Sequence, residues 1–330
     1  MICAGYGLRD IEERIIPSPL STYSNHSSLL GLLQLADSAL PIGSTAHSFG
    51  LETLVAEGIL TVDQLEQFLT DYMQEMGRLE SAFCRQGYQL ASVTDESEFV
   101  TGWLALHNRL GAFKIARESR TASATLGRRF LQLVCGLVAN TGEISLRSAA
   151  GRPQGIAPTM VTNQPPKHNR TIVGAIPCGR PGEPEGAYLT RIVPCGRPGE
   201  PEGLIPPVCG LAASSRLSNA LQVAKAQKTD VHYCIAFGLV SSILEIDETL
   251  AVLAYLQQAL TGLISACQRL LPLGQTQASA ILWRLKPVLI DVAEASATGL
   301  QLDEECAVFT PLPDIGSIRH PNLPTRLFIS

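Results

Sequence analysis

Charged and aromatic side chains are scarce in this chain of 330 residues: 17% of the residues are charged and 5% are aromatic. The formal net charge of −5 provides no broad basic surface, which excludes nucleic acid and anionic membranes as the main partners. Apolar residues instead make up 45% of the chain, and Ala and Leu, which favour helices, dominate. The composition therefore predicts a packed, helical, globular protein.

The motifs of common enzyme chemistry are also missing. The chain has no G-x-x-x-x-G-K-[ST] phosphate loop, no H-E-x-x-H zinc helix and no G-x-S-x-G nucleophile turn. The six histidines are scattered singly and the nine cysteines form no C-x-x-C pair, so we expect no cofactor and no metal site. The odd cysteine count and the charged residues within 1–28 predict a reducing, cytoplasmic location.

Apolar residues recur at helical spacing along most of the chain, whereas no segment alternates as a strand would. Residues 29–147 and 211–308 are predicted to form a single helical domain, a bundle of about eight to ten helices, after a flexible segment 1–28. The uncharged stretch 249–268 is long enough to cross a membrane. Its glutamines and hydroxyls gather on one side, which indicates a core helix instead. Helices are predicted over about 29–36, 47–57, 62–83, 99–113, 115–139, 231–244, 247–271 and 275–297, the last kinked at Pro287.

Residues 148–210 differ in character from the rest of the chain. Pro and Gly make up over a third of 148–207, and the decapeptide PCGRPGEPEG occurs twice. The two copies contain almost no apolar residue that could pack, which predicts a disordered insertion. Cys178 and Cys195 could suggest a disulfide or a metal site, but the duplication alone explains their matched surroundings.

A turn rich in Pro and Gly, residues 40–52, leads directly into the second predicted helix and contains His47, Ser48 and Glu52. One interpretation is local: a hydroxyl of the turn caps the helix. A specific polar turn without a catalytic set instead indicates a surface for another protein. A hydrolase or lyase that uses Glu52 and His47 is a third hypothesis, although a nucleophile and its base need an orienting third group.

Two further segments have candidate partner contacts. Lys114, Arg117 and Arg120 are spaced as one helix face, which predicts either a solvated face or a contact with an acidic partner. In residues 309–330, four prolines are expected to exclude a regular helix, yet apolar anchors recur along the segment. Such a tail packs on something, and its own body and a partner are equally good hypotheses.

Taken together, these features resemble the UreF family of urease accessory proteins. The resemblance covers 29–147 and 211–330, and its motifs occur in the family's order. The matching stretches are Leu32-Leu33-Gln34-Leu35-Ala36, Leu40-Pro41-Ile42-Gly43, His47-Ser48-Phe49-Gly50-Leu51-Glu52, Arg117-Glu118-Ser119-Arg120, Ala236-Phe237-Gly238, Pro272-Leu273-Gly274-Gln275, Asp314-Ile315, Ser317, Arg319-His320 and Arg326-Leu327-Phe328.

The resemblance implies an all-α scaffold that is not an enzyme. Family members dimerise, join the UreD protein (also called UreH) and recruit the UreG GTPase, which couples GTP hydrolysis to nickel insertion into apo-urease. It also implies that the tail 309–330 docks on UreD/UreH and that nickel passes through without a permanent site. A helical interaction module of another pathway is the alternative. The candidate partner-binding residues are Pro41, Gly43, His47, Ser48, Gly50, Glu52, Lys114, Arg117, Arg120, Gln275, Arg319, Arg326 and Phe328.

Overall fold

The computed structural model describes residues 19–147, 211–297 and 310–329. Helices are the regular elements of these ranges, which contain no strand. The segments α3 and α4 are joined by a π-helical turn at Met73–Gly77, and only Leu285 separates α10 from α11. Counted as continuous helices, the segments therefore number ten, and the predicted all-α bundle is confirmed. The twelve α-helices are α1 Pro19–Leu35, α2 Leu51–Ala56, α3 Leu65–Tyr72, α4 Arg78–Leu90, α5 Glu96–Phe113, α6 Arg117–Arg147, α7 Leu211–Ala226, α8 Tyr233–Ile243, α9 Glu248–Leu270, α10 Gln275–Arg284, α11 Lys286–Ala297 and α12 Pro311–Arg319.

The strongest periodic pattern of the sequence becomes the continuous helix formed by α3, the π turn and α4. Its apolar seam is buried against the rest of the bundle, as amphipathic spacing requires. Helix α4 makes its most extensive contact with α8, which is buried along most of its length. The buried members of the seam are Leu65, Leu69, Met76, Leu79 and Phe83.

Glycines allow α4 and α8 to approach until their backbones touch. A Cβ at Gly87 would overlap the carbonyl of Ile235, and a Cβ at Gly238 would overlap that of Cys84. Since α4 precedes the 148–210 segment and α8 follows it, the two halves of the described chain share one core.

Helix α9 is the one helix of the described ranges that is long and apolar enough to cross a membrane. Over half of its most apolar window is buried inside the protein, where Leu256, Leu260 and Ile264 pack in the core. Thr261 and Ser265 satisfy their hydroxyls on carbonyls one turn earlier in the same helix. These contacts support the interpretation of α9 as a core helix.

The predicted helix over 47–57 starts later than expected. Ser44–Ala46 form a 3₁₀ turn, His47 is extended, and α2 begins only at Leu51. Phe49 and Gly50 adopt φ angles of 51° and 88°, which no α-helix accommodates. The hydroxyl cap expected from the turn is also absent, because Gly50 occupies the N-cap position of α2.

The prediction that prolines exclude a helix from the tail was wrong. Helix α12 spans Pro311–Arg319, and both of its prolines lie in its first turn. Backbone N–H groups there have no intrahelical acceptor, so a proline costs little. Pro321 similarly lies in the short 3₁₀ turn that follows α12.

Several predictions concern residues outside the described ranges. The disordered insertion 148–210, including Cys178 and Cys195, lies there, and so do most of the N-terminal segment and residues 298–309. Helix α1 begins at Pro19, ten residues before the predicted start. The proposed partition into domains remains a prediction.

Candidate partner-binding surface

The carboxylate of Glu52, on α2, holds the end of the chain against the body. Its oxygens accept hydrogen bonds from the backbone N–H groups of Leu327 and Phe328. Its Oε2 also lies 2.9 Å from Nε2 of His320. Glu52 and His320 are both buried, so these contacts are made out of water.

His320 links two acidic residues from different helices. While Nε2 faces Glu52, Nδ1 lies 2.8 Å from Oε2 of Glu118 on α6. The His320 ring therefore bridges a carboxylate on each side. We call Glu52, His320 and Glu118 the tail clamp, since they join α2, α6 and the tail.

The surroundings of Glu52 favour its ionised form. Burial alone would raise the pKa of this carboxyl, but the N–H group of Leu327, the His320 side chain and the N–H group of Phe328 together lower the pKa below its usual value of 4.5. Glu52 therefore serves as an anionic acceptor for the tail, and its lone pairs are taken up by that role.

Helix α12 lies directly on α2. A Cβ at Gly50 would overlap the backbone of α12, and one at Gly316 would crowd the carbonyl of Gly50. At the end of the tail, Phe328 is buried beneath the guanidinium of Arg269, 4.3 Å from the ring centroid. The N–H of Ile329 donates to the carbonyl of Ala46 at 2.9 Å. The tail thus packs on its own body, which is one of the two hypotheses drawn from the sequence.

The opposite face of α12 is apolar and exposed. Leu312, Ile315 and Ile318 follow one another at three-residue spacing and are 45%, 40% and 55% exposed. Residues three apart lie on the same face of a helix, so these side chains form one row. Helix α12 can therefore pack on the body with one side and still expose an apolar row on the other.

The Pro/Gly turn is held by two arginines from other helices. Arg129 donates from Nη1 to the carbonyl of Ile42 at 3.3 Å, and Arg269 donates to that of Thr45 at 2.9 Å. Gly43 has a φ of 84°, and a Cβ there would overlap the Arg129 guanidinium. Burial and the nearby Arg129 charge lower the pKa of the His47 imidazole, which favours its neutral form.

Comparison with known proteins shows the family of this chain. A family model described as UreF matches residues 59–185 and 204–286, more than half of the chain. The chain belongs to the UreF family. It is 28% identical over 312 residues to the urease accessory protein UreF of a Nostoc species, which covers 94% of this chain and 99% of that protein. It is 25% identical over 305 residues to the UreF protein of a Bacillus species, covering 92% and 99%.

The polar residues of the turn are not exposed on this UreF-family chain. His47, Ser48, Gly50 and Glu52 are buried, so these residues do not themselves form an open surface, and their role in partner binding remains a prediction. Among the described residues, the Ser48 hydroxyl has no hydrogen-bond partner. Pro41 is exposed and Gly43 is half-buried. Glu52 and the Ala46 carbonyl both accept hydrogen bonds from the tail, so this segment supports the tail on the body.

The predicted basic stripe is also corrected. Lys114 is buried in the break between α5 and α6, where its Nζ donates to Glu80 at 2.6 Å. Burial opposes the charge of this lysine, but the ion pair with Glu80 outweighs it and raises the pKa of the ammonium group. Arg120 is half-buried and donates to the Lys114 carbonyl, which leaves Arg117 as the exposed member. The spacing misled because α5 and α6 are separate helices.

The remaining predicted residues are dispersed. Arg319 pairs with Glu57 at 2.9 Å, Gln275 is exposed at the start of α10, and Arg326 is exposed next to Leu327. Sequence reasoning missed Arg129 and the pairing of His320 with two carboxylates. Within the described ranges no group of three or more His, Cys, Asp or Glu residues is arranged to hold a metal ion.

Proposed function

We propose that this chain is a non-catalytic scaffold of urease maturation. With a UreD/UreH protein it recruits the UreG GTPase and regulates its use of GTP in nickel insertion into apo-urease. It does so in the cytoplasm and as a homodimer, and nickel is cargo rather than a resident cofactor. Membership of the UreF family supports this proposal, since its relatives are urease accessory proteins.

The observation that carries the proposal is the two-sided tail. One side of α12 is fixed to the body by close backbone contact and by the tail clamp. The other side presents the row Leu312, Ile315 and Ile318. A rigid helix with an exposed apolar row suits the docking of a partner, because little conformational entropy is lost on binding. We propose that UreD/UreH covers this row.

The same contacts argue against the acid–base hypothesis. Glu52 accepts hydrogen bonds from two backbone N–H groups and contacts the His320 ring, so its oxygens are engaged in structure. A catalytic carboxylate must reach the proton that it transfers. We therefore propose that Glu52 has a structural role.

Co-expression tests the proposal. A tagged chain is produced together with a UreD-like protein and a UreG-like protein, and the captured proteins are quantified. We expect both to co-purify with the natural chain. Ile315→Asp should lower capture of the UreD-like protein at least tenfold, because burial of a charge at an apolar contact costs more than about 1.4 kcal/mol.

Leu250→Asp, which alters an exposed leucine on α9, is the matched control and should leave capture unchanged. Recovery of neither partner by the natural chain would reject the proposed function. Failure to restore urease activity in a strain without UreF would instead favour the helical module of another pathway.

A further inference from the structure

We infer that a groove beside α6 binds an extended acidic segment of a partner protein. The groove has a volume of about 380 Å³ and lies between α6 and the end of the tail. One wall is formed by Arg117, Thr121, Thr125 and Arg129. The opposite side includes Ile329, which is 70% exposed although its backbone is fixed to Ala46.

The four residues of the α6 wall form a single row. They are spaced by four, which places them on one face of the helix. Twelve residues separate Arg117 from Arg129, so the two arginines lie about 18 Å apart along the axis. An extended peptide rises about 3.3 Å per residue, and acidic side chains five or six residues apart would therefore reach both.

The charge of this wall is unusual for an acidic protein. Arg117 and Arg129 are the cationic residues that line the groove, while Glu118 is its acidic residue. Glu118 also lines the groove, but its carboxylate faces the His320 ring. His47, at the floor, is favoured in its neutral form and leaves the cationic character to the arginines. Arginine binds carboxylates through two parallel hydrogen bonds, which suits this row to Asp and Glu.

Arg117 is available for such a contact. It is exposed and makes no hydrogen bond or ion pair with the part of the chain that the structure describes. Arg129 is held in place by the Ile42 carbonyl and the Gly43 backbone, which orients its guanidinium in advance. The guanidinium of Arg129 is thus held in one orientation, whereas that of Arg117 can adjust to a ligand.

The lining between the arginines favours a peptide over a nucleic acid. Pro321 and Ile329 supply exposed apolar surface, and the hydroxyl groups of Thr121 and Thr125 can form hydrogen bonds with peptide groups. Single-stranded nucleic acids are bound on aromatic platforms, and the groove lining contains none apart from the His47 ring. A segment with acids at both ends and an apolar residue between them matches the row.

The inference is tested on the purified full-length chain by fluorescence anisotropy. The probe is a labelled peptide that has paired acidic residues at each end, separated by about five small or apolar residues. Arg117→Gln and Arg129→Gln should each weaken binding about fivefold, near the upper limit for an exposed ion pair. Arg128→Gln, the same change one position along and outside the groove, should weaken it less than twofold, as expected of a screened distant charge.

Three results would overturn the inference. The natural chain could fail to bind the peptide, or Arg128→Gln could weaken binding as much as Arg117→Gln. In the third, an oligothymidine or inorganic phosphate, at the same concentration of negative charge as the peptide, could displace it. Arg117→Gln is the deciding variant, because loss of Arg129 also loosens the turn. The inference stands apart from the proposed function: co-purification of the UreD-like and UreG-like proteins does not use this peptide, so either can fail alone.

Discussion

The α4–α8 contact and the α2–α12 contact use the same backbone device but different chemistry. In both, facing glycines let two helices touch. The α4–α8 seam lies in the apolar core, where Phe83 on α4 and Phe237 on α8 are fully buried. The α2–α12 seam is instead fixed by the tail clamp, in which two carboxylates face one imidazole. An apolar seam contains no group that titrates, whereas a seam held by carboxylates weakens when they are protonated. We therefore expect the attachment of the tail to the body to depend on pH.

The largest expected effect comes from a substitution in the contact between α4 and α8. Gly238→Ala would place a methyl group into the carbonyl of Cys84, and overpacking of this kind costs about 3 kcal/mol. Urea unfolding should show this loss of stability.

Gly262→Ala on α9 is the matched control, because no heavy atom lies within 4 Å of its added methyl group. It should stabilise the protein by about 0.5–1 kcal/mol. Equal destabilisation by both variants would contradict the close approach of α4 and α8.

The second largest effect is expected from a substitution in the tail clamp. Glu52→Gln removes the charge that holds His320 and two backbone N–H groups, at a cost of about 2 kcal/mol. Hydrogen exchange should show faster exchange at the amides of Leu327 and Phe328, with amides of α8 unchanged. Glu75→Gln, an exposed glutamate of the π turn, serves as the control. Unchanged protection of Leu327 in Glu52→Gln would contradict the clamp.

A fall in pH should weaken the α2–α12 contact before it weakens the α4–α8 contact, without any mutation. The folded-state pKa of Glu52 lies below its usual value of 4.5, so its stabilisation is complete above about pH 4.5 and is lost as the pH falls through the folded value. The groups that face Glu52 are His320 and, through it, Glu118.

Hydrogen exchange at a series of pH values should therefore show loss of tail protection in acid before loss of α8 protection, after correction for intrinsic exchange rates. In Glu52→Gln this acid step should disappear. Persistence of the step in that variant would assign it to another group.

The smallest effect concerns the surface pair of Arg319 and Glu57, 2.9 Å apart and largely exposed. Arg319→Gln should cost less than about 1 kcal/mol, and high salt should abolish the difference. Thermal unfolding at low and high salt measures it. A salt-independent loss above this size would mean that Arg319 has a second role in holding α12.

Local patterns predicted the bundle well and the site poorly. The seams of α3–α4 and α9 were visible because amphipathic spacing is a property of neighbouring residues. Helix α12 was missed because its prolines were counted as breakers without regard to their place in the first turn. Lys114 was wrongly grouped with Arg117 and Arg120, although the predicted helices 99–113 and 115–139 leave it between them, because three-residue spacing does not show where a helix begins.

The tail clamp depends on contacts that sequence spacing cannot reveal. Glu52 and His320 are 268 positions apart, and Glu118 comes from a third helix. The resemblance to the UreF family marked these residues as notable without saying what they contact. Only the row Arg117, Thr121, Thr125 and Arg129 was open to discovery from spacing alone, since all four are on α6.

His320 has a consequence for how this part of the protein can evolve. Replacement of the ring by an apolar residue would leave Glu52 and Glu118 without the side chain that they share. Replacement of either acid would remove one of the two contacts of the imidazole. Substitutions at positions 52, 118 and 320 should therefore be inherited as a set, and lineages that have lost one member should have exchanged the other two.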